Sequence, residues 1–277
     1  MLFRSLREAE GVFLNPQGLT AFNPGPLTGR GNWTWLITGH VPTLIDAGVG
    51  DPRHLQSIED ALAGAQLAQV LVTHGHSDHA SGVPALHERM PSAVFRKMRW
   101  PERDSRYPVN WIQVNDGDVI DAGDTSLVAV HTAGHAPDHL CFWHEETRTI
   151  FCGDLAIRGT TVWIPANLQG DLSAYIDSLE RVLALRPQRM LPAHGPVIDD
   201  PITLLQRYLQ HRREREAQVI DALRLGDTTA ESIGARVYPE LPRALTSHAQ
   251  DTVTAHLRKL EREGRAHASD GAWRVRD

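Results

Sequence analysis

Apolar positions along the chain follow two periods. Short runs at Trp35-Leu36-Ile37, Thr43-Leu44-Ile45, Val70 to Thr73, Leu127 to Val130, Ile150 to Asp154 and Met190 to Ala193 read as strand-like segments. Longer stretches carry helical spacing. One runs from Leu55 to Leu67. A second spans Asp171 to Leu185, with Leu172, Tyr175, Ile176, Leu179, Val182 and Leu183 on one face and Asp171 as N-cap. A third begins at Pro201 or Ile202 and reaches about Leu225, where Gly226 ends it. Its charged run, His211 to Glu216, carries both signs and reads as a solvated face. No internal repeat or low-complexity tract interrupts the pattern.

After Gly226 the elements become shorter. Asp227 to Glu231 opens a helix that Pro239 closes, and Gln250-Asp251 opens another over Thr252 to Glu263. Gly264 stops it. Ala266 to Val275 then alternates around Asp270-Gly271, a hairpin signal. Helices followed by a hairpin predict a winged-helix unit. The chain divides at 205, with a catalytic domain over 1–205 and a linking helix plus winged-helix-like domain over 206–277. A chain of 277 residues suffices for one large core and a small accessory domain.

Composition removes several classes. Hydrophobic residues make up 41% and charged residues 22%, as in a globular protein, and no apolar run approaches a membrane span. The net charge of −6 gives no global attraction to nucleic acid or an acidic membrane. Two cysteines, Cys141 and Cys152, make no disulfide framework and indicate a reducing compartment. Cys152 reads as a small buried residue. The opening Met1-Leu2-Phe3-Arg4-Ser5-Leu6-Arg7-Glu8 has no apolar stretch of signal-peptide length, so the expected location is cytoplasmic.

The chemistry concentrates where strand-like runs give way to loops. Thr73-His74-Gly75-His76-Ser77-Asp78-His79 places three histidines and a carboxylate directly after an apolar segment. Off an extended backbone His74 and His76 point the same way, while Asp78 and His79, beyond the turn, face a neighbouring point. That arrangement serves two adjacent metals better than one. Further metal-type side chains stand at equivalent places: His135 after Leu127 to Val130, Asp154 at the end of Ile150 to Gly153, and His194 after Met190 to Ala193. Imidazole and carboxylate together suit zinc, iron or manganese.

With these residues the chain resembles the metallo-β-lactamase superfamily, whose H-x-H-x-D-H motif reads here as His74, His76, Asp78 and His79. The resemblance covers roughly residues 20–200. It implies a four-layer αβ/βα sandwich with the metals at one edge of two sheets. It also implies that His74, His76 and His135 hold a first metal, that Asp78, His79 and His194 hold a second, and that Asp154 bridges both. Zinc is the first expectation for the two divalent ions, with iron or manganese as alternatives. Penicillin-hydrolysing zinc enzymes of the commonest class carry cysteine where Asp154 stands and lack the histidine at 79. Flavin-linked di-iron members carry Glu where His76 stands. The seven-ligand set therefore points to two-metal hydrolysis.

The C-terminal pieces Val237-Tyr238-Pro239 and Val253 to Leu260, with the opening Asn23-Pro24-Gly25-Pro26-Leu27-Thr28, resemble the lactamase-beta-like 2 group. That group includes an animal endoribonuclease and fungal polyketide thioesterases. Asn32-Trp33-Thr34-Trp35 departs from its usual Thr-Asn-Thr-Tyr. Residues 227–277 balance eight basic against eight acidic side chains, so the winged helix is expected to pack, to dimerise or to wall the cleft rather than to grip nucleic acid. The stretch 94–111 argues the other way. It holds Arg96, Lys97, Arg99, Arg103 and Arg106 beside Trp100, Tyr107 and Trp111, a pattern that suits single-stranded RNA or an acidic acyl carrier. Otherwise it is a solvated loop over buried aromatics. Asp154 and His194 stand too close in sequence for the inserted domain of long-nucleic-acid nucleases.

The expected reaction is hydrolysis of an ester, thioester or lactone of a small molecule by a metal-bridging hydroxide, since two dications lower the pKa of bound water to about 7. Single-strand RNA cleavage is the alternative, and a non-catalytic metal- or DNA-binding regulator the third reading. Asp78 is a candidate catalytic group in addition to a ligand. His139 is a candidate catalytic residue, as a proton donor or a partner behind a ligand, or else a structural histidine. Asp46 is placed to orient a ligand histidine or to cap a turn, and Thr160 and Thr161 to reach substrate.

Overall fold

The computed structural model describes residues 14–276, so the N-terminal octapeptide lies outside the described residues. Two mixed sheets form its centre. The first runs β1 (Gln17–Thr20), β2 (Trp33–Ile37), β3 (Thr43–Ile45), β4 (Gln69–Leu71), β5 (Val94–Lys97) and β6 (Trp111–Gln113), in that spatial order. The second comprises β7 (Val119–Ala122), β8 (Thr125–His131), β9 (Leu140–His144), β10 (Thr149–Gly153) and β11 (Arg189–Pro192), ordered β11-β10-β9-β8-β7.

Strand periodicity sorts the apolar residues between layers. Trp35, Ile37, Ile45 and Leu71 of the first sheet meet Leu127, Phe142, Phe151 and Leu191 of the second in one buried cluster. Their neighbours in sequence point outward. Leu36, Leu44 and Val70 pack under α1 (Pro52–Leu62) and α3 (Val83–Arg89), which flank the short α2 (Ser77–Ala80). After α4 (Pro101–Asp104), Cys141, Trp143, Ile150 and Cys152 pack under α5 (Leu172–Leu185) and the first half of α6 (Pro201–Arg224). Helix, sheet, sheet and helix make four layers, as the resemblance implied.

Helix α6 continues without a break past residue 205. Its Leu205, Tyr208 and Leu209 lie in the core of the large domain, whereas Val219, Ile220, Ala222 and Leu223 lie in a separate core with α7 (Ala230–Val237) and α8 (Thr246–Arg262). The hairpin β12 (Ala266–Ser269) and β13 (Ala272–Val275) closes that second core, turning at Asp270 and Gly271 in left-handed conformations.

Three sequence expectations need correction. Helix α1 begins earlier and ends earlier than Leu55 to Leu67, because Asp51 caps it with Pro52 in the first turn and Ala63 turns left-handed at φ 49°. Helix α8 starts at Thr246, six residues before Thr252. No side chain caps its start, so tertiary contact supplies the order, including His248 edge-on to Trp163 at 4.6 Å. The charged run in α6 is a solvated face only at Arg213 and Glu214. Arg212 is only 2% exposed, and Glu216 pairs with Lys259 and Arg265 of the C-terminal unit.

Candidate metal centre

Each metal-type side chain follows the C-terminal end of a strand. His74, His76, Asp78 and His79 follow β4 and enter α2, His135 follows β8, Asp154 follows β10, and His194 follows β11. The register between β10 and β11 slips at Phe151/Gly153, a bulge that redirects the chain immediately before Asp154. Gly153 makes that turn with φ 47°, and a Cβ there would stand 2.8 Å from His139 Nε2. Only glycine fits so close an approach.

All seven side chains meet at one edge of the sandwich in two groups. His74, His76 and His135 form one, with His76 Nδ1 at 3.0 Å from His74 Nε2 and 2.9 Å from His135 Nε2. Asp78, His79, Asp154 and His194 form the other. His194 Nε2 lies 3.3 Å from both Asp78 Oδ2 and Asp154 Oδ1, and His79 Nε2 lies 3.5 Å from the same two oxygens. Asp154 spans the groups: its Oδ1 faces His79 and His194, and its Oδ2 lies 3.4 Å from His135 Nε2. Donor atoms around a tetrahedral ion with bonds of about 2.0–2.1 Å stand about 3.3 Å apart, close to the 3.3 to 3.5 Å of the second group and somewhat wider than the 2.9 and 3.0 Å of the first.

The electrostatics agree with cation binding. Burial pushes His74, His76 and His135 below the ordinary imidazole range, so they are neutral, the form that ligates. The second group is rich in carboxylate. Burial opposes charging of His194, yet Asp154 lifts it to about 9, and Asp46, Asp78 and Asp154 hold His79 protonated in the same way. Burial alone would neutralise Asp154, but His194 and His79 keep it well below the usual carboxylate range. His79 Nε2 and Asp154 Oδ1 are nevertheless buried without a hydrogen-bond partner. A divalent cation would satisfy both atoms and replace those protons.

Outer contacts fix the ring orientations. Asp46 Oδ2 accepts from His79 Nδ1 at 2.8 Å, while its Oδ1 accepts from the Thr73 backbone N–H at 2.7 Å. The Trp163 carbonyl accepts from His135 Nδ1 at 2.7 Å. His139 is fully buried behind the centre. Its Nε2 accepts the Asp154 backbone N–H at 3.0 Å and its Nδ1 faces Thr132 Oγ1 at 2.8 Å, so it does not reach the cleft and the proton-donor reading of this residue is withdrawn. Asn32 was not singled out as a site residue, although its Nδ2 donates to Asp78 Oδ2 at 3.0 Å and to the Asp78 carbonyl. No spacing rule joins positions 46 residues apart.

The centre opens into a cleft of about 450 Å³. Pro26, Leu27, Thr160, Thr161 and Val162 line one part, and Tyr238, Leu241, Leu245, His248 and Thr252 of the C-terminal unit line another. The winged helix is a wall of this cleft. Its basic side chains are largely engaged within the chain: Arg236 with Asp227, Arg258 with the Ala166 carbonyl, Lys259 and Arg265 with Glu216, and Arg262 with Asp171. The stretch 94–111 is divided, with Arg99 and Arg106 exposed and Tyr107 and Trp111 half-buried. Lys97 is buried against Asp104 and Asp138, Trp100 is buried, and of the stretch's basic residues Arg103 reaches the cleft.

A family model described as the metallo-beta-lactamase superfamily matches residues 27–194, well over half of the chain. The chain belongs to the metallo-beta-lactamase superfamily. A second model, the beta-lactamase associated winged helix domain, matches residues 229–273. Two curated relatives are similar over most of their length. A beta-lactamase-like protein 2 homolog of Drosophila melanogaster is 32% identical over 90% of this chain and 89% of its own. An atrochrysone carboxyl ACP thioesterase of Aspergillus chevalieri is 34% identical over 83% of this chain and 75% of its own. A beta-lactamase domain protein from Burkholderia ambifaria shares the fold, with TM-score 0.79 at 20% identity over 94% of this chain and 91% of its own. This member of the metallo-beta-lactamase superfamily is a metal-dependent hydrolase, and its histidine and aspartate clusters suit divalent metals. Among the described residues no helix is long and apolar enough to cross a membrane.

Proposed function

We infer that the protein is a dinuclear hydrolase of small-molecule acyl compounds, an ester, thioester or lactone. The observation that carries this reading is the position of Asp154, whose two oxygens face two separate ligand groups at the floor of one cleft. His74, His76 and His135 would hold one ion, Asp78, His79 and His194 the other, and Asp154 both, with zinc the first expectation. Such ions, when bound, supply Lewis acidity and a water acidified to a pKa of about 7.

The chain's own residues then divide the remaining work. Asp78 is the most exposed of the carboxylates in the second group, and the Asn32 amide donates to its Oδ2. With Oδ2 turned to the second group, the other carboxylate oxygen of Asp78 is the one to orient the attacking water and to take its proton. His139 positions the Asp154 backbone from behind. The C-terminal wall excludes bulk water and offers Leu241 and Leu245 to an apolar acyl chain. The similarity to a fungal protein named as an acyl-carrier thioesterase supports an acyl substrate. The engaged basic groups of the winged helix and the burial of Lys97 and Trp100 weigh against RNA.

The test offers aryl esters, acyl-coenzyme A thioesters, lactones, bis-aryl phosphodiesters and a short single-stranded RNA to the protein loaded with zinc, manganese or iron. His76→Ala and Asp154→Ala serve as controls. Two ions per chain and acyl cleavage lost in both variants are expected. RNA cleavage without acyl turnover would sink the reading.

A further inference from the structure

We propose that Arg212 is a specificity residue that binds a carboxylate on the substrate, so that the preferred substrate is an anionic acyl compound. This rests on the hydrolase reading above and deepens it.

Arg212 lines the same cleft as His76, Asp78, Asp154 and His194 and is only 2% exposed. Its guanidinium stacks over the Tyr175 ring at 5.1 Å, and Nη2 donates to the Val162 carbonyl. Those contacts fix the group in place and leave its charge unbalanced. Among the described residues no carboxylate pairs with it, and Nε is buried with no hydrogen-bond partner. The surroundings add to the imbalance. His256 is buried with neither ring nitrogen bonded, and the charges acting on it are cationic, from Arg212, Lys259, His211 and Arg215.

A guanidinium does not lose its proton in proteins, so a buried arginine cannot escape its charge by titration. Desolvating such a charge without a counter-ion is costly, and the usual remedy is a paired anion. Among the described residues the other buried lysine or arginine, Lys97, has that remedy and sits between Asp104 and Asp138. At Arg212 the open space beside it is the substrate cleft, so the counter-ion arrives with the ligand. The planar, donor-rich group suits a carboxylate. A single positive charge also balances a monoanion. The substrate therefore spans the cleft, with its scissile carbonyl at Asp154 and a carboxylate at Arg212.

The test compares 4-nitrophenyl hydrogen glutarate with 4-nitrophenyl butyrate on the zinc-loaded full chain, in the native protein, Arg212→Lys and Arg212→Met. The native protein should favour the glutarate ester by about tenfold or more in kcat/KM, the value of a charge-assisted hydrogen bond. Arg212→Met should abolish that preference through KM, with butyrate turnover changed less than about threefold, and Arg212→Lys should keep part of it. Calorimetric binding of glutarate against butyrate and inorganic phosphate needs no turnover. Tighter glutarate binding, lost in Arg212→Met, supports the proposal even if neither ester is cleaved, in which case the hydrolase reading alone fails. Equal binding of glutarate and butyrate by the native protein overturns it, as does phosphate binding that Arg212→Met weakens more than it weakens glutarate binding. An equal loss on both esters in Arg212→Met and Arg212→Lys would reduce Arg212 to a packing role.

Discussion

At the residue scale, the proposed ligand histidines are held in place by other side chains. Asp46 adopts a left-handed backbone, φ 65°, and from there bonds both His79 and the Thr73 backbone. Strain of this kind persists where surrounding contacts demand it. Partners behind metal ligands contribute about 10- to 100-fold to affinity, so Asp46→Ala should weaken binding of one ion by that factor in a zinc titration while the other is retained. Asp78 should behave differently. In Asp78→Asn one oxygen remains to face the centre but the proton acceptor is lost, so kcat should fall about 100-fold or more with metal content nearly unchanged by elemental analysis. Full activity in that variant would remove the proton-accepting role.

At the element scale, caps and bulges set the geometry. The bulge at Cys152 and the glycine after it turn Asp154 into the centre, and sequence alone shows only a run that ends in Gly-Asp. Asp171 does double duty: its Oδ1 caps α5 at Ser173 and Ala174, and both its oxygens bind Arg262 of α8. Loss of an N-cap costs about 1 kcal/mol. Asp171→Ala should therefore lower Tm by a few degrees and, because Arg262 is released as well, loosen the wall of the cleft. A rise in KM alongside the Tm shift is the expected signature, and an unchanged KM would confine Asp171 to capping. The long helix α6 shows how a charged run can mislead. Leu205, Leu209, Arg212, Glu216, Val219 and Leu223 follow one another at three- and four-residue steps, so Arg212, buried, and Glu216, half-buried, stand on the core-facing stripe. That spacing was present in the sequence, but the mixed charges of 211–216 hid it.

At the scale of the whole molecule, the two units share a helix, a core contact and a cleft. Leu245→Ala, on the C-terminal wall, should raise KM for long acyl chains several-fold while metal content and kcat for small esters stay unchanged. A parallel loss of metal would instead mean that the wall supports the centre directly. Acid should also weaken the fold. Burial holds His54 near pKa 4, and burial with neighbouring arginines does the same for His211, against an ordinary value of 6.5. The unfolded chain therefore binds more protons than the folded one between pH 6.5 and 4, and stability rises with pH across that window. Urea midpoints of the metal-free protein should fall steadily from pH 7 to pH 4, as the unfolding free energy drops by up to about 3 kcal/mol through His54 alone. A flat profile would place these rings in contact with water. In the metal-loaded protein the fall should be steeper, because protonated imidazole releases its ion.

Much of this molecule was legible without coordinates, for a physical reason. Strand and helix periods, the Asp171 cap, the Asp270-Gly271 turn and the histidine-rich loop after β4 depend on neighbours in sequence, and local sterics and burial determine them. The dispersed metal-type residues were legible as well, since each stands where an apolar run ends. Which of them meet, and through which oxygen of Asp154, depended on the packing of two sheets and a one-residue bulge. The same holds for Asn32 behind Asp78, for Lys97 withdrawn from a supposed basic groove, and for Arg212 left without a counter-ion. Contacts between residues far apart in the chain have no spacing to announce them, because the chain's path through space, set by the whole core, decides which charges become neighbours.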